Sequence, residues 1–321
     1  MAPNIVPVSA ILPTRNRPAI LARFLQSLAL QDTLPAEIVI CDGSDDDQTM
    51  TSVTQCRTAW QSLFGDNVTW SVQSANRIGL APQRNQAVAA ATQPFVWFLD
   101  DDMLLEPGCL RELHNAVSQS ARTGGVTATL VNEPYQSPGR LTRTLMRWFE
   151  EGVERQSYAS ACVGPGWTFL HDPSPDAPAL VKAEWLGGGC TLYRKTALPV
   201  PAVPDHFEGG AFGEDLAASL LVGQDWDMFH VPRARAVHDS QGGDHKRSAR
   251  VRSDQTLRNR YFIMTRIMGK STIRDHFDFV LMHAFIVASL LRRPRTWALI
   301  PSTLAGHVQA LSKILHHSID G

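Results

Sequence analysis

"FVWFLDDDMLLEPG", residues 95–108, runs a hydrophobic segment directly into three aspartates, Asp100, Asp101 and Asp102. A short apolar run that ends at polar turn residues is typical of a buried strand. Because alternate side chains of an extended chain face the same side, Asp100 and Asp102 are predicted to share one site, with Asp101 pointing away. Two neighbouring carboxylates require compensation, and an all-oxygen site suits Mg²⁺ or Mn²⁺. The alternative is an acidic turn that caps a following helix, with Pro107 near its first turn.

Apolar runs alternate with helical patterns through the first part of the chain. Strands are expected at residues 6–12, 37–42, 68–73, 94–100 and 126–132. The first helix is expected to open with Asn16 as its cap and Pro18 in its first turn, and two others at about Gln48–Phe64 and Pro82–Ala91. This order predicts a Rossmann-like α/β fold, in which a mostly parallel sheet is flanked by helices.

The composition is that of a folded protein with a substantial core, because 44% of the 321 residues are hydrophobic. This length accommodates one large or two ordinary domains. Five cysteines are scattered along the chain without the close pairs of a metal site: Cys41, Cys56, Cys109, Cys162 and Cys190. An odd, scattered set favours reduced thiols and a cytoplasmic location. The first residues lack a basic segment before their apolar run, which argues against a signal peptide.

The charges are distributed unevenly. Residues 233–321 contain 15 Lys and Arg against 6 Asp and Glu, a net charge of +9, whereas the preceding residues carry −10. Within this basic region, residues 279–291 form an apolar run that is too short to cross a bilayer, for which about 20 residues are needed. "RRPR" follows at 292–295. Two interpretations stay open: a helix lying on an anionic membrane surface, or a helix packed on the body with a solvated charged end.

Polar residues follow three of the predicted strands. Thr14 and Arg15 follow the first, Asp42 follows the second, and the three aspartates follow the fourth. Ligands of open α/β sheets bind beyond the carboxyl ends of the strands. Acidic groups that follow two neighbouring strands suit a ribose or base contact after one strand and a divalent cation after the other.

Seven segments, in order over residues 6–240, resemble glycosyltransferase family 2, whose members have the GT-A fold. They are "ILPTRNRP", "IVICDGSDDDQT", "NRIGLAPQRNQAVAAA", "FLDDDMLLEPGCL", "WLGGGCTLYRK", "FGEDLAASL" and "VPRARAVHD". The resemblance implies a glycosyltransferase domain at 1–240, with a nucleotide-sugar-binding half at 1–132 and an acceptor-binding, catalytic half at 133–240. Residues 241–321 match only loosely and are expected to form a basic, amphipathic helical region.

The resemblance also implies the residues of the nucleoside site. Thr14, Arg15 and Asp42 would contact the nucleoside, and Arg84, with Asn85 beside it, would face the nucleotide side of the cleft. Outside its motif, Arg84 is typical of an exposed helix residue.

The metal site implied by the resemblance is a DxD signature. Asp102 would hold the metal, and Asp100 would lie nearer the ribose or sugar and also serve the metal. Asp101 is expected to be local support within the same nucleotide-sugar site. His238 would join Asp102 at the metal, with His230 and His245 as alternatives.

The second half supplies the chemistry that the resemblance implies. Asp215 would be the general base and Glu214 would orient the acceptor, although two acids in the first turn of a helix also suit its dipole. Gly188 and Gly189 would line the donor sugar and acceptor, while a bend is the alternative. Trp185 would stack on a sugar or belong to the core.

The implied function is inverting transfer of one sugar from a nucleoside-diphosphate sugar to a hydroxyl of a glycan or lipid-linked acceptor. Mn²⁺ or Mg²⁺ would be the cofactor, the enzyme would be of the hexosyltransferase type, and the role would be cell-surface polysaccharide or glycolipid synthesis. The location would be cytoplasmic, or peripheral on the inner face of the membrane, and no nucleic acid partner is expected. Processive members carry a Gln-x-x-Arg-Trp motif, whereas "QTLRNR" has Asn259 in place of the tryptophan.

Two other functions are weighed. One is a noncatalytic nucleotide-sugar or glycan-binding module of the same fold, against which the presence of Asp215 argues. The other is a Mg²⁺-dependent phosphohydrolase, but Leu104 stands at the fifth position of its Asp-x-Asp-x-Thr/Val motif.

Overall fold

A computed structural model describes residues 3–172, 174, 178–208, 212–240 and 248–319. The strands in these residues are β1 (Asn4–Thr14), β2 (Thr33–Asp42), β3 (Thr69–Ser74), β4 (Phe95–Leu99), β5 (Met103–Leu105), β6 (Thr123–Leu130), β7 (Cys162–Val163), β8 (Trp167–Thr168), β9 (Val181–Lys182), β10 (Cys190–Arg194) and β11 (Asp227–His238). The helices are α1 (Pro18–Ala29), α2 (Gln48–Phe64), α3 (Leu80–Ala90), α4 (Cys109–Ser118), α5 (Arg140–Phe149), α6 (Glu214–Val222), α7 (Ala249–Phe262), α8 (Ile273–Ser289) and α9 (Ile300–Ile319). Short helical turns connect the last two helices at Leu290–Arg292 and Pro294–Leu299.

One large sheet organises the described chain, in the order β3-β2-β1-β4-β10-β6-β11-β5, with β9 paired to β11. The strands β1 to β4 run parallel, β10 lies antiparallel between β4 and β6, and β11 runs parallel to β6. Apart from β5, β9 and β10, the strands of this sheet therefore share one direction. The expected mostly parallel sheet is confirmed.

Helices cover both faces of the sheet, which explains why its strands are apolar on both sides. Val8 and Leu12 of β1 pack into a core with residues of α1, α2 and α4. Ile11, which points the opposite way, packs into a second core with residues of α3 and α6. Such alternation along one strand buries its side chains in two layers.

The start of α1 corrects one prediction. The helix begins at Pro18 as expected, but its N-cap is Arg17, and no side chain caps it. Asn16 instead has a positive φ of 54°, and its Nδ2 donates to Asp45 Oδ2 at 2.7 Å while its Oδ1 accepts from the Asp45 N–H at 2.9 Å. Asn16 thus connects the loops after β1 and β2, because an asparagine tolerates left-handed backbone while its amide binds a neighbour.

The C-terminal helices pack on the body through a third core. Phe279 and Met282 of α8 meet Met146 and Phe149 of α5, together with Leu257 of α7. The apolar run from residue 279 therefore packs on the body along one side, as one of its two interpretations requires. Of the helices in the described residues, none combines the length and the apolar character that a bilayer crossing demands.

Candidate active site

A buried glutamine holds the carboxyl ends of β1 and β2 together. Gln83 Nε2 donates to the carbonyl oxygens of Thr14 at 3.0 Å and Cys41 at 2.8 Å, and its Oε1 accepts from the Gly79 N–H at 3.2 Å. Because Gln83 is buried, these bonds satisfy its amide without water. Sequence reasoning missed this residue, although it stands directly before Arg84.

The three aspartates do not continue the strand. The chain leaves β4 after Leu99, and a turn at residues 101–102 leads into β5. Asp101 and Asp102 both accept from Arg17 Nη1, at 2.9 and 3.3 Å, whereas Asp100 accepts from Arg84 Nη2 at 2.6 Å. The expected alternation through Asp102 is therefore wrong, because it applies only to extended backbone.

The helix-cap interpretation of these aspartates is also wrong. The strand β5 separates them from α4, which begins at Cys109 with Gly108 as its N-cap and no side-chain cap bond. Gly108 has a φ of 81°, a conformation that glycine adopts without strain. The acidic triplet thus belongs to the connection between β4 and β5 and not to the helix.

The residues predicted to contact the nucleoside lie at the ends of β1 and β2. Thr14 Oγ1 donates to Asp101 Oδ2 at 2.7 Å, and burial raises the pKa of Asp101 to about 6. Arg15 is exposed and pairs with Asp45 at 3.1 Å. Asp42 accepts from the N–H and the hydroxyl of Ser44 at 2.9 and 2.5 Å. These contacts order the strand ends on which a ligand can bind.

Arg84 is fully buried at the centre of the site, so its alternative as an exposed helix residue is wrong. Its guanidinium donates to Asp100 and Glu214 at 2.6 Å each and to the Gly188 carbonyl at 3.2 Å. It also lies over the Phe98 ring, 5.6 Å from the centroid. Arg84 therefore joins the end of β4 to the start of α6.

Its neighbour Asn85 has a different role. The amide of Asn85 exchanges two hydrogen bonds with the backbone of Val203, at 2.8 Å each. Asn85 therefore fixes α3 against the chain that precedes α6.

Two carboxylates open α6 at the edge of the same site. Glu214 and Asp215 form its first turn after Gly213, and Asp215 Oδ2 accepts from the Gly188 N–H at 3.2 Å. Burial, with a smaller effect of the neighbouring Asp215 charge, raises the pKa of Glu214 to about 8. Burial also raises the pKa of Asp215. The pair thus consists of carboxyl groups whose proton affinity is increased by the protein.

The glycine run packs tightly against these charged side chains. A Cβ on Gly188 would lie 2.8 Å from Arg84 Nη1 and 3.1 Å from the Cβ of Asp215. A Cβ on Gly189 would lie 3.2 Å from Asp100 Oδ2. Glycine is required here because it lets the backbone approach the side chains closely.

A cavity of about 180 Å³ joins these groups. Its lining comprises the glycine run, carboxylates from both halves of the chain, one indole and two imidazole rings, and several apolar residues: Asp100, Met103, Thr127, Ala128, Leu130, Glu133, Leu170, His171, Trp185, Gly187, Gly188, Gly189, Cys190, Glu214, Asp215 and His238. Asp100 and Asp215, which are far apart in sequence, thus line the same cavity. Such a cavity with converging polar groups is the typical form of a ligand site.

Trp185 forms part of the apolar wall. It is buried, its indole Nε1 donates to the Phe169 carbonyl at 2.9 Å, and its ring stacks on His171 with centroids 5.5 Å apart. Burial lowers the pKa of His171 to about 3, so this ring is neutral. His171 lines the cavity, and sequence reasoning did not find it.

The alternatives to His238 stand elsewhere. His230 is buried, and its Nε2 lies 2.7 Å from Thr129 Oγ1. Its ring stacks on His171 with centroids 4.8 Å apart. His245 lies outside the described residues.

The end of β11 brings His238 to Asp102. His238 Nε2 lies 3.4 Å from Asp102 Oδ1, and its Nδ1 lies 2.6 Å from Glu133 Oε1. Hydrogen bonds to these two carboxylates raise the pKa of His238 to about 10. Within the part of the chain that the structure describes, no group of three or more His, Cys, Asp or Glu residues has the arrangement of a metal site.

Residues 9–173, slightly more than half of the chain, match the sequence profile of the family described as Glycosyl transferase family 2. The chain belongs to this family. The glycosyltransferase architecture expected from the seven sequence segments is therefore established at the level of the family. Comparison with curated proteins gave no significant match.

Solved structures agree with the fold of this glycosyltransferase. One is a mannosyltransferase from Pyrobaculum calidifontis in complex with GDP-Man and Mn²⁺, which is 15% identical in sequence and superposes with a TM-score of 0.57. The match covers 97% of this chain and 89% of the mannosyltransferase. GalNAc-T7, in complex with UDP, GalNAc and Mn²⁺, is 17% identical with a TM-score of 0.55, over 80% of this chain and 47% of that longer one. The GT-A fold is thus confirmed.

Proposed function

We propose that this chain transfers one sugar from a nucleoside-diphosphate sugar to a hydroxyl of a glycan or lipid-linked acceptor, with inversion at the anomeric carbon. The observation that carries the proposal is the cavity that Asp100 and Asp215 line together. Residues 1–132 would supply the donor side of this cavity and residues 133–240 the acceptor side. Family membership and the nucleotides bound by the two solved neighbours support the same assignment.

The donor would bind across the ends of β1, β2 and β4. Thr14, Arg15 and Asp42 stand at the ends of the first two strands, where open α/β sheets bind nucleotides. Asp101 supports this site by holding Thr14 and Arg17. The guanidinium of Arg84 already serves two carboxylates, so its part would be to orient Asp100 and Glu214 towards the sugar.

Asp102 and His238 are suited to begin a divalent-cation site, which Asp100 would complete. A carboxylate oxygen and an imidazole nitrogen lie 3.4 Å apart in Asp102 and His238, and Asp100 lines the same cavity as His238. Carboxylate and imidazole are ligands that Mn²⁺ accepts. Asp100, Asp102 and His238 would hold the ion, and His238 would lose its proton on binding it. The ion would supply charge compensation for the diphosphate leaving group.

Asp215 would act as the general base. The Gly188 N–H fixes one of its oxygens, and the raised pKa makes it a stronger proton acceptor. As the acceptor oxygen bonds to the anomeric carbon, its proton would pass to Asp215 and the bond to the diphosphate would break. Glu214, whose pKa burial raises to about 8, would orient the acceptor. One displacement of this kind inverts the configuration.

The test is a donor panel with Mn²⁺ or Mg²⁺, in which nucleoside diphosphate release is measured with and without candidate acceptors. Asp215→Asn should lower transfer by about 10²- to 10⁴-fold. It should leave donor affinity, measured by calorimetry, unchanged. Asp225→Asn, which alters an exposed carboxylate, is the matched control.

Two outcomes would contradict the assignment. Normal transfer by Asp215→Asn would remove Asp215 from the chemistry. Donor binding without any release of nucleoside diphosphate, across the whole panel, would favour the noncatalytic binding module.

A further inference from the structure

The last described helix has two apolar faces, only one of which is covered. Gly306 packs so closely on α7 that a Cβ there would lie 2.4 Å from the Arg250 carbonyl oxygen. On the other side, an exposed stripe repeats at helical spacing: Leu304, Val308, Leu311 and Leu315. A single surface helix normally carries one apolar stripe, which faces the core. The second stripe is therefore available to an apolar partner.

The preceding helix shows the same division. Phe279 and Met282 of α8 are buried in the third core, whereas Ile273, Phe277 and Val280 are exposed, with Ile273 92% accessible. These three again follow helical spacing. A row of exposed apolar side chains on one helix is typical of an interaction site.

The connection between these helices combines apolar and cationic residues. Leu291, Trp297 and Leu299 are exposed, and the Trp297 Nε1 donates to the Leu291 carbonyl at 3.0 Å. Arg292, Arg293 and Arg295 are exposed beside them. Residues 279–319 contain no Asp or Glu. The apolar surface is thus accompanied by positive charge that no acidic residue of this segment offsets.

We propose that the exposed apolar and arginine side chains of residues 291–315, here called the arginine–apolar face, bind the surface of an anionic lipid bilayer. Arginines attract anionic headgroups, and exposed leucine, valine and tryptophan side chains enter the boundary with the acyl chains. Tryptophan favours this boundary because its ring is apolar and its N–H is polar. The helix would lie in the plane of the interface, since none of the described helices is long and apolar enough to cross a bilayer.

A second copy of the chain is a poorer occupant. A twofold contact brings the same patch of both copies together. The arginines of both copies would then share one interface, with no acidic residue between 279 and 319 to compensate them. Like charges at an interface cost affinity. An anionic lipid surface satisfies both the apolar stripe and the charge, and its binding does not depend on sugar transfer.

Flotation of the full chain with phosphatidylcholine vesicles, with and without about one third phosphatidylglycerol, tests the proposal. The chain should float with the anionic vesicles, less so at high salt. Arg293→Gln with Arg295→Gln should weaken this binding about thirtyfold, at about fivefold for each arginine. Arg57→Gln with Arg122→Gln, which removes two exposed arginines elsewhere, is the matched control.

The contribution of the apolar side chains is tested by a second variant and its matched control. Val308 is 69% exposed and Leu63, on α2, is 68% exposed. Val308→Ser should weaken vesicle binding about three- to tenfold, while Leu63→Ser should not. Circular dichroism melting curves confirm that each variant is folded. Absence of binding, equal binding to neutral and anionic vesicles, or equal effects of the two arginine pairs would overturn the proposal. The proposal would also be overturned if the chain did not bind vesicles but self-associated, and if Val308→Ser abolished that self-association.

Discussion

Two acidic clusters of the cleft are each compensated by an arginine, but they differ in burial. The Arg17 side chain is 22% exposed and lies within 3.3 Å of both Asp101 and Asp102. The Arg84 side chain is 1% exposed and lies 2.6 Å from Asp100 and Glu214. A partly exposed arginine can be displaced from its carboxylates by another cation. Removal of a buried arginine leaves buried carboxylates without a compensating charge. The Arg17 cluster is therefore suited to bind a partner, and the Arg84 cluster to hold the geometry.

The largest expected effect is on the buried cluster. Arg84→Met should lower the free energy of unfolding by about 3–5 kcal/mol, because it removes the partner of two carboxylates in a poorly solvated site. Urea denaturation measures this change. Arg15→Met, at an exposed pair, should change stability by no more than about 1 kcal/mol. Equal effects of the two variants would show that Arg84 is not the structural cation.

The next prediction compares two neighbouring glycines. Gly188→Ala should destabilise the protein by about 1–3 kcal/mol, because its Cβ would press on the Arg84 guanidinium. Gly187→Ala is the control, since the nearest atom to its Cβ would be Trp185 Cζ3 at 4.0 Å. Thermal melting of both variants checks this, and a larger loss at Gly187 would contradict the packing argument.

Substitutions in the Arg17 cluster should change the affinity for metal and donor more than they change the stability of the fold. Asp102→Asn should raise the Mn²⁺ concentration needed for half-maximal donor binding by about tenfold or more. Calorimetric donor titrations at several Mn²⁺ concentrations measure it. Asp47→Asn, at an exposed position before α2, should leave the requirement unchanged. If Asp102→Asn had the same metal requirement as the parent protein, Asp102 would not be a ligand.

The last effect depends on pH. The pKa of Glu214 rises from its ordinary value of 4.5 to about 8, so the folded protein retains a proton that the unfolded chain loses. This contribution to stability is complete below pH 4.5 and is lost as the pH rises to 8. Glu214→Gln should flatten the decline, which has a slope of at most about 1.4 kcal/mol per pH unit. Urea titrations at several pH values across this range measure the free energy of unfolding. An unchanged slope in Glu214→Gln would show that another group causes the decline.

Local patterns were enough to predict the elements that form the cleft. The apolar run before Asp100 is a buried strand, "FGED" starts a helix with Glu214 and Asp215 in its first turn, and the sheet is mostly parallel. Each depends on periodicity or on turn residues within a few positions. The predictions that failed, at Asn16 and at the alternation through Asp102, assumed that a local pattern continued past the end of an element.

The sequence by itself determined the family, the order of the strands along the chain and the residue types that converge on the cleft. Only the tertiary structure decided which charges pair: Arg17 with Asp101 and Asp102, and Arg84 with Asp100 and Glu214. These partners lie up to 130 residues apart, so no local pattern relates them. The physical reason is that a buried arginine is stable only where folding supplies carboxylates to compensate it, and that supply depends on the whole sheet.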